Sequence, residues 1–327
     1  GPVDGHDIHK LTRILNEAKR VDHAVLVHVM TKKGKGYVPA EENPSRFHGT
    51  GPFDIPSGTA VGKKATDSYT DVFSKVLADI GKQDEKVVAI TAAMADGTGL
   101  ARFAKMFPQR FFDVGIAEEH AMTFAAGLAA GGMKPVLQRA FDQTIHDVCL
   151  QNLPVFIAVD RAGLVGSDGE THQGVFDLSF LLEIPNLTVM SPKNRWEMAD
   201  MVRFAVDFPY PVALRYPRGE AYEGLKEFRT PILYGKSEVI CRESGIAILF
   251  IGHMSELGES VWKAMKEAGY RCSLINARFA KPLDTEMIRD LCRDHQLIVT
   301  IEENVLAGGF GEQVVQYVMQ SGEKTRV

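Results

Sequence analysis

Hydrophobic residues along the chain recur at two spacings, one typical of buried strands and the other of helices. In the first zone, residues 1–64, a helix that carries Ile8 and Leu15 precedes an apolar strand at residues 24–30. A Pro- and Gly-rich linker follows from residue 37 onward. The pattern of this zone is typical of the tail of a domain.

The second zone, residues 65–225, alternates helices with short apolar strands. Its predicted elements are a helix at 69–80 and strands at 86–91, 111–114, 153–159, 187–190 and 212–216. The third zone, residues 226–327, repeats the alternation on a smaller scale. Its predicted elements are strands at 246–251, 271–275 and 297–302 and helices at 256–268 and 284–292. Such alternation predicts an α/β fold, in which helices cover parallel sheets.

One strand is missing from the pattern of the second zone. An Ala-rich helix at 121–130 is apolar nearly all round, which predicts that it is enclosed on every side. Residues 133–136 follow it and lead directly into a predicted helix at 138–150. Losing a central strand would leave backbone groups of its neighbours unpaired. We expect either residues missing from the sequence or a true deletion, and we favour the first.

Composition narrows the class of protein. The chain has 327 residues, of which 45% are hydrophobic, and a net charge of −5, so it can bury substantial cores. No long basic run would hold nucleic acid, and no apolar stretch is long enough to span a membrane. The four cysteines lie far apart and are expected to be buried free thiols. Together with the lack of a signal peptide, this predicts a cytoplasmic protein.

The first candidate site is the run from Asp113 to Met122, where a strand is predicted to turn into the Ala-rich helix. Glu118 would enter a mostly dry environment, which raises a carboxyl pKa, while a helix N-terminus lowers it. Such a group suits proton sharing with a bound base. The alternative is that Glu118 and Glu119 only complement the helix dipole.

The second candidate is the glycine-rich segment 160–174, which follows a buried strand and carries Arg161, Asp168 and His172. The carboxyl ends of parallel strands are where open α/β sheets bind ligands. The alternative is a solvated surface loop. A third run, 215–219, places Arg218 just after another strand, where arginine suits phosphate or carboxylate recognition.

Seven runs together resemble the 1-deoxy-D-xylulose-5-phosphate synthases of the transketolase superfamily. They occupy residues 1–7, 31–36, 113–120, 138–140, 160–174, 215–219 and 302–311. The resemblance implies a pyrimidine-binding domain (65–225) and a truncated C-terminal domain (226–327), preceded by the tail of a diphosphate-binding domain with its linker (1–64). It implies thiamine diphosphate and Mg²⁺ as cofactors and a homodimer as the assembly.

The implied reaction condenses pyruvate with D-glyceraldehyde 3-phosphate to 1-deoxy-D-xylulose 5-phosphate and CO₂, which feeds isoprenoid and thiamine biosynthesis. By the same resemblance, Glu118 contacts and protonates the cofactor's aminopyrimidine. Arg161, Arg218 and Arg139 match positions that bind the substrate phosphate. Asp168 and His172 match residues that orient substrate and move a proton, and His6 matches a further active-site histidine.

The chain also departs from this family. It begins without Met, lacks the motif that holds magnesium and the cofactor diphosphate, lacks the aromatic end of the missing strand, and stops before the last elements of the third domain. We expect a lone copy to bind the cofactor poorly. The alternatives are another thiamine enzyme, such as a transketolase or a two-oxoacid dehydrogenase subunit, and a non-catalytic scaffold. His28 and His146 are expected to be structural, and the sequence does not decide the role of His48.

Overall fold

The computed structural model describes residues 2–44, 46–47, 50–61, 66–137, 141–166, 169–170 and 172–327. The chain divides into two compact units, Gly1–Ala65 and Thr66–Val327. In the first unit the elements are β1 (Val3–Asp4), α1 (Ile8–Ala18), β2 (Val29–Met30), α2 (Val38–Glu42), β3 (Phe53–Asp54) and β4 (Thr59–Ala60). Helix α1 begins where the Asp7 side chain accepts a hydrogen bond from the Lys10 N–H.

The predicted buried strand at 24–30 is wrong for most of its length. Only Val29 and Met30 form a strand, which pairs in parallel with β1, and residues 24–30 are exposed apart from the half-buried Val27. His28 is therefore a surface residue and not a buried one. A unit of this size supplies too little apolar surface to cover such a segment by itself.

The second unit contains the remaining elements. Its strands are β5 (Val87–Thr91), β6 (Phe111–Asp113), β7 (Lys134–Leu137), β8 (Phe156–Val159), β9 (Thr188–Met190), β10 (Val212–Arg215), β11 (Glu238–Cys241), β12 (Gly245–Phe250), β13 (Cys272–Asn276), β14 (Phe279–Lys281) and β15 (His295–Ile301). Its helices are α3 (Tyr69–Gln83), α4 (Ala101–Met106), α5 (Glu118–Ala130), α6 (Phe141–Gln143), α7 (Asp177–Glu183), α8 (Arg195–Asp207), α9 (Ser255–Glu267), α10 (Thr285–Asp294) and α11 (Phe310–Gln320).

The larger sheet of this unit has the strand order β14-β9-β10-β8-β7-β5-β6. Its strands pair in parallel, except that β14 is antiparallel to β9. A smaller sheet, in the order β11-β13-β12-β15, is parallel except for β11. The predicted α/β class, with a smaller α/β region after the larger one, is confirmed.

The expectation of a missing strand is wrong. Residues 134–137 form β7, which lies between β5 and β8 and pairs with both. The sheet is therefore continuous, although β7 has only four residues. A run this short that contains Pro135 carries no strand periodicity, and its place is set by the two partners that need their backbone groups paired. The helix predicted at 138–150 consists, over its described residues, of α6 and a π-helical turn at Thr144–Cys149.

The expectation that the Ala-rich helix is enclosed on every side is also wrong. One face of α5 is buried, through Ala121, Met122, Ala125, Ala126 and Ala129. The other face carries His120, Thr123 and Gly127, which are exposed, and the half-buried Phe124 and Leu128. An Ala- and Gly-rich helix packs well against a sheet. Its sequence does not show whether a second layer covers the face that points away from the sheet.

Candidate active site at the carboxyl edge of the larger sheet

Parallel strands bring several of the predicted site residues to one edge of the larger sheet. Strands β5, β6, β8 and β10 end there at Thr91, Asp113, Val159 and Arg215. The segments after β5 and β6 are tied together, because the Asp113 Oδ1 accepts hydrogen bonds from the N–H groups of Ala93, at 2.8 Å, and Gly115, at 3.0 Å. The motifs that the sequence placed at strand ends therefore share this edge.

Glu118 is the first residue of α5 and is half-buried. The prediction that it enters a mostly dry environment is corrected, because the far side of α5 is uncovered. Glu119 and His120, the next residues, are exposed. The residue before the helix, Ala117, has no side chain that could cap it. Glu118 therefore lies at the helix end whose first N–H groups and dipole attract anions.

Exposed apolar side chains lie close to Glu118 in the sequence. Ile116, two residues earlier, is 87% exposed, and Phe112 is 36% exposed. The ring of Phe112 packs edge-on against Phe124, with centroids 5.1 Å apart. A carboxylate together with exposed apolar side chains suits a flat ring that carries a basic nitrogen.

The second candidate segment, the β8–α7 loop (residues 160–176), starts with Asp160 and Arg161. Asp160 is buried and its carboxylate pairs with the guanidinium of Arg161. Arg161 has a left-handed backbone, with φ of +57°. Its guanidinium reaches the segment after β5, because a Cβ built on Gly97 would lie 3.6 Å from the Arg161 Nη2.

Two glycines close the base of this loop. Gly163 and Gly174 exchange backbone hydrogen bonds of 3.1 and 2.8 Å, and we call this pair the neck. The neck leaves no room for side chains: a Cβ on Gly163 would lie 2.2–2.3 Å from the Glu303 carboxylate, and one on Gly174 would lie 2.4 Å from the Asp177 Oδ2. These positions therefore require glycine.

Other predicted site residues are distributed as follows. His172 is exposed in the β8–α7 loop, and its N–H donates to the Gly169 carbonyl at 3.0 Å. Arg218 is exposed three residues after β10. In the first unit, the Nε2 of His6 accepts a hydrogen bond from the Lys32 N–H at 2.7 Å. Asp168, Arg139 and His48 lie outside the described residues.

The sequence assigned no role to Arg215, Asp177 or Glu303, which lie at the neck. Arg215 is buried at the end of β10 and donates through Nη2 to the Gly174 carbonyl at 3.1 Å and through Nε to the Asp177 Oδ2 at 3.3 Å. Its Nη1 lies 3.9 Å from the Glu303 Oε2. Arg215 belongs to a motif that the sequence flagged, but nothing local distinguishes its structural role from that of the exposed Arg218.

The glycine-rich run at 308–311 is not a free phosphate cradle. The Glu302 carboxylate accepts hydrogen bonds from the N–H groups of Phe310, at 2.8 Å, and Gly311, at 2.7 Å, at the start of α11. Burial raises the pKa of Glu302 above its ordinary value, despite these two N–H donors. The anion-binding end of this helix is therefore occupied by a carboxylate of the chain itself.

Within the described part of the chain, no group of three or more His, Cys, Asp or Glu side chains could hold a metal ion. Cys149 and Cys272 are buried and Cys241 and Cys292 are half-buried, and all four thiols are free. None of the described helices is both long and apolar enough to cross a bilayer.

Family models match most of the chain. The model "Transketolase, pyrimidine binding domain" matches residues 66–223, and "Transketolase, C-terminal domain" matches residues 235–326. A third model, "1-deoxy-D-xylulose-5-phosphate synthase", matches residues 1–31. A solved structure described as a split gene transketolase, inactive beta4 tetramer, is 27% identical, with a TM-score of 0.73 over 80% of this chain and 88% of that one.

Curated relatives narrow the family further. The 1-deoxy-D-xylulose-5-phosphate synthase of Lachnoclostridium phytofermentans is 53% identical over 98% of this chain and 52% of the relative. That of Caldanaerobacter subterraneus is 50% identical over 97% of this chain and 52% of the relative. The chain spans about half the length of the curated relatives it matches. These identities show that the chain belongs to the 1-deoxy-D-xylulose-5-phosphate synthase family, a transferase family with transketolase-type domains.

Proposed function

We propose that this chain forms the pyrimidine-binding part of an enzyme that condenses pyruvate with D-glyceraldehyde 3-phosphate. The products would be 1-deoxy-D-xylulose 5-phosphate and CO₂, at the first step of a route to isoprenoids. The observation that carries the proposal is the shared sheet edge at which the half-buried Glu118 and the Arg161-bearing loop both lie. The names of the relatives agree with it.

Glu118 is proposed to hold the aminopyrimidine ring of thiamine diphosphate, the cofactor of the family. A carboxylate at a helix N-terminus can share a proton with a ring nitrogen, and the exposed Ile116 and Phe112 can cover the ring faces. When bound, thiamine diphosphate supplies the carbon nucleophile and the electron sink that decarboxylation requires. Among the described residues no group of three or more His, Cys, Asp or Glu side chains could hold Mg²⁺, so the proposed fit covers only the pyrimidine half of the cofactor.

The substrate roles are proposed for residues of the two strand-end motifs. Arg161, Arg218 and Arg139 would bind the phosphate dianion of the aldehyde through charge-assisted hydrogen bonds. His172 and Asp168 would orient the substrate, and His172 would pass a proton to or from the new alkoxide. His6 is proposed as a further active-site histidine.

A homodimer is the proposed assembly. The uncovered face of α5, with Phe124, Leu128 and the nearby Met133, is apolar enough to pack against a second copy. Cytoplasmic location stays a prediction.

The proposal can be tested on a chimera in which the part of the Lachnoclostridium phytofermentans relative that precedes the matched region is joined to the amino end of this chain. Calorimetry with thiamine diphosphate and Mg²⁺ should show binding by the chimera and weak binding by the chain alone. With ¹³C-labelled pyruvate and glyceraldehyde 3-phosphate, NMR should show 1-deoxyxylulose 5-phosphate. A chimera that binds the cofactor but yields none of this product would refute the function.

A transketolase reaction is the second candidate, favoured by the likeness to the split gene transketolase structure. The same chimera given xylulose 5-phosphate and ribose 5-phosphate decides between the two: ketol transfer without pyruvate consumption would identify a transketolase. Absence of cofactor binding in an otherwise folded chimera would favour a non-catalytic scaffold.

A further inference from the structure

The neck of the β8–α7 loop rests on a carboxylate from a distant part of the chain. Glu303 follows β15, and its carboxylate lies against the backbone of Gly163 so closely that no side chain fits between them. Arg215 contacts the other glycine of the neck, because it donates to the Gly174 carbonyl. Arg215 and Glu303 therefore each contact one glycine of the neck.

Glu303 itself is held by His253. The His253 Nε2 lies 2.6 Å from the Glu303 Oε1, and the two side chains are 23% and 9% exposed. His253 belongs to the 3₁₀ turn Gly252–Met254 at the end of β12. The other oxygen, Oε2, is buried and has no hydrogen-bond partner among the described residues, with the Arg215 Nη1 3.9 Å away. The 2.6 Å contact with His253 is therefore the close polar contact of this carboxylate among the described residues.

Leaving one carboxylate oxygen buried without a donor costs free energy, and the cost is tolerated when surrounding contacts determine the position of the group. Here the carboxylate could relieve the cost by rotating, but rotation would give up the close His253 contact and the packing against Gly163. The arrangement therefore couples the His253 contact to the position of the neck.

We propose that His253 and Glu303 are positioning residues for the β8–α7 loop: His253 orients the Glu303 carboxylate, which holds the neck at Gly163 and thereby places Arg161 and His172. The importance of these two side chains for substrate rests on the proposed function. The claim that these side chains hold the neck does not rest on the proposed function, because it concerns only the backbone at Gly163 and Gly174.

The test measures amide hydrogen exchange of Gly163 and Gly174 in the folded chain, without cofactor or substrate, relative to the Ile157 amide in β8. His253→Leu and Glu303→Leu should each speed exchange of both glycine amides by about tenfold or more, because each removes one partner of the contact that supports the neck. The double variant should exchange no faster than the faster single variant. His253→Gln retains an N–H donor and should restore most of the protection.

His23→Leu is the matched control, because it removes an exposed histidine that also lies beside a carboxylate, Asp22. Additive effects in the double variant, unchanged exchange in His253→Leu, or failure of His253→Gln to protect the neck would each overturn the proposal. If His253→Leu does not fold, Glu303→Leu, which is similar in size but has no acceptor, gives the same decision. If the chimera forms no product but the variants still speed exchange at Gly163 and Gly174, the proposed function is refuted and the positioning role is retained.

Discussion

The Lys193 Nζ lies 2.5 Å from the Glu238 Oε2, and both side chains are almost completely buried. Lys193 follows β9 in the region matched by the pyrimidine-binding model, whereas Glu238 begins β11 in the region matched by the C-terminal model. Glu197 and Arg278 join them: Lys193 contacts Glu197 at 3.0 Å, and Arg278 contacts Glu197 at 2.8 Å and Glu238 at 2.9 Å. Two cations and two anions thus join the two regions in a charge-balanced, dry cluster.

Removing Lys193 should destabilise the second unit strongly. Lys193→Met leaves two buried carboxylates facing a single guanidinium, and breaking a buried ion pair typically costs about 3–5 kcal/mol. Urea unfolding of the variant and of the parent chain measures this change in unfolding free energy. Lys263→Met, which removes an exposed lysine paired with Glu259, should cost less than about 1 kcal/mol. If the double variant Lys193→Met/Glu238→Leu is no more stable than Lys193→Met, charge imbalance is not the cause.

The same cluster predicts how stability depends on pH. Burial on its own would raise the pKa of Glu238, but the Lys193 ammonium, the Thr230 N–H and the Arg278 guanidinium outweigh it and hold that pKa below its ordinary value. Glu238 therefore stays charged in the folded chain at a pH where the unfolded chain takes up its proton. Its contribution is complete above the ordinary carboxyl pKa and is lost as pH falls through that value toward the folded pKa.

Urea unfolding between about pH 7 and about pH 4 checks this sign. The slope of unfolding free energy against pH should be smaller in Glu238→Gln than in the parent chain. Glu119→Gln, which changes an exposed glutamate, should retain the parent slope. An unchanged slope in Glu238→Gln would show that this carboxyl does not contribute to acid sensitivity.

Gly163→Ala should be more damaging than an alanine at another left-handed glycine. Gly163 has φ of +70° and Gly132 has φ of +84°, so both replacements meet a backbone penalty of about 1–2 kcal/mol. Only at Gly163 would the new Cβ collide with a carboxylate; at Gly132 nothing lies within 4 Å. The collision should add about 1–3 kcal/mol. If both variants lose the same unfolding free energy, the Glu303 side chain moves away from the new Cβ without measurable cost.

Elements with strong local patterns could be predicted from the sequence. Helices α9 and α10 and strand β12 lie where apolar spacing placed them, because each buries a face defined by its own residues. Strands β7 and β14 could not be predicted in this way, because each forms by pairing with strands that are distant in sequence. The uncovered face of α5 was missed for the same reason: burial depends on what covers a helix, and composition does not record that.

The candidate site follows the same division. Glu118 and Arg161 could be located at strand ends from the sequence, and the parallel sheet brings those ends to one edge. The Arg215–Glu303–His253 arrangement could not be found, because it joins the ends of three strands whose separation in the chain carries no periodic signal. Glu302 and Glu303 are adjacent in a motif that the sequence showed. Only the fold reveals that the Glu302 carboxylate caps α11, whereas the Glu303 carboxylate contacts His253 at the neck.

Glu118→Ala should abolish product formation in the chimera while the cofactor still binds. Loss of a positioned proton-sharing group typically lowers rates by about 10²–10⁴-fold. Glu119→Ala is the matched control: both residues lie in the first turn of α5 and lose a similar helix-dipole contribution of about 0.3–1 kcal/mol, yet successive helical positions diverge by about 100°. The two variants should therefore unfold alike in urea and differ in pyruvate consumption. Equal turnover in both would remove Glu118 from the mechanism and leave it a helix-dipole partner.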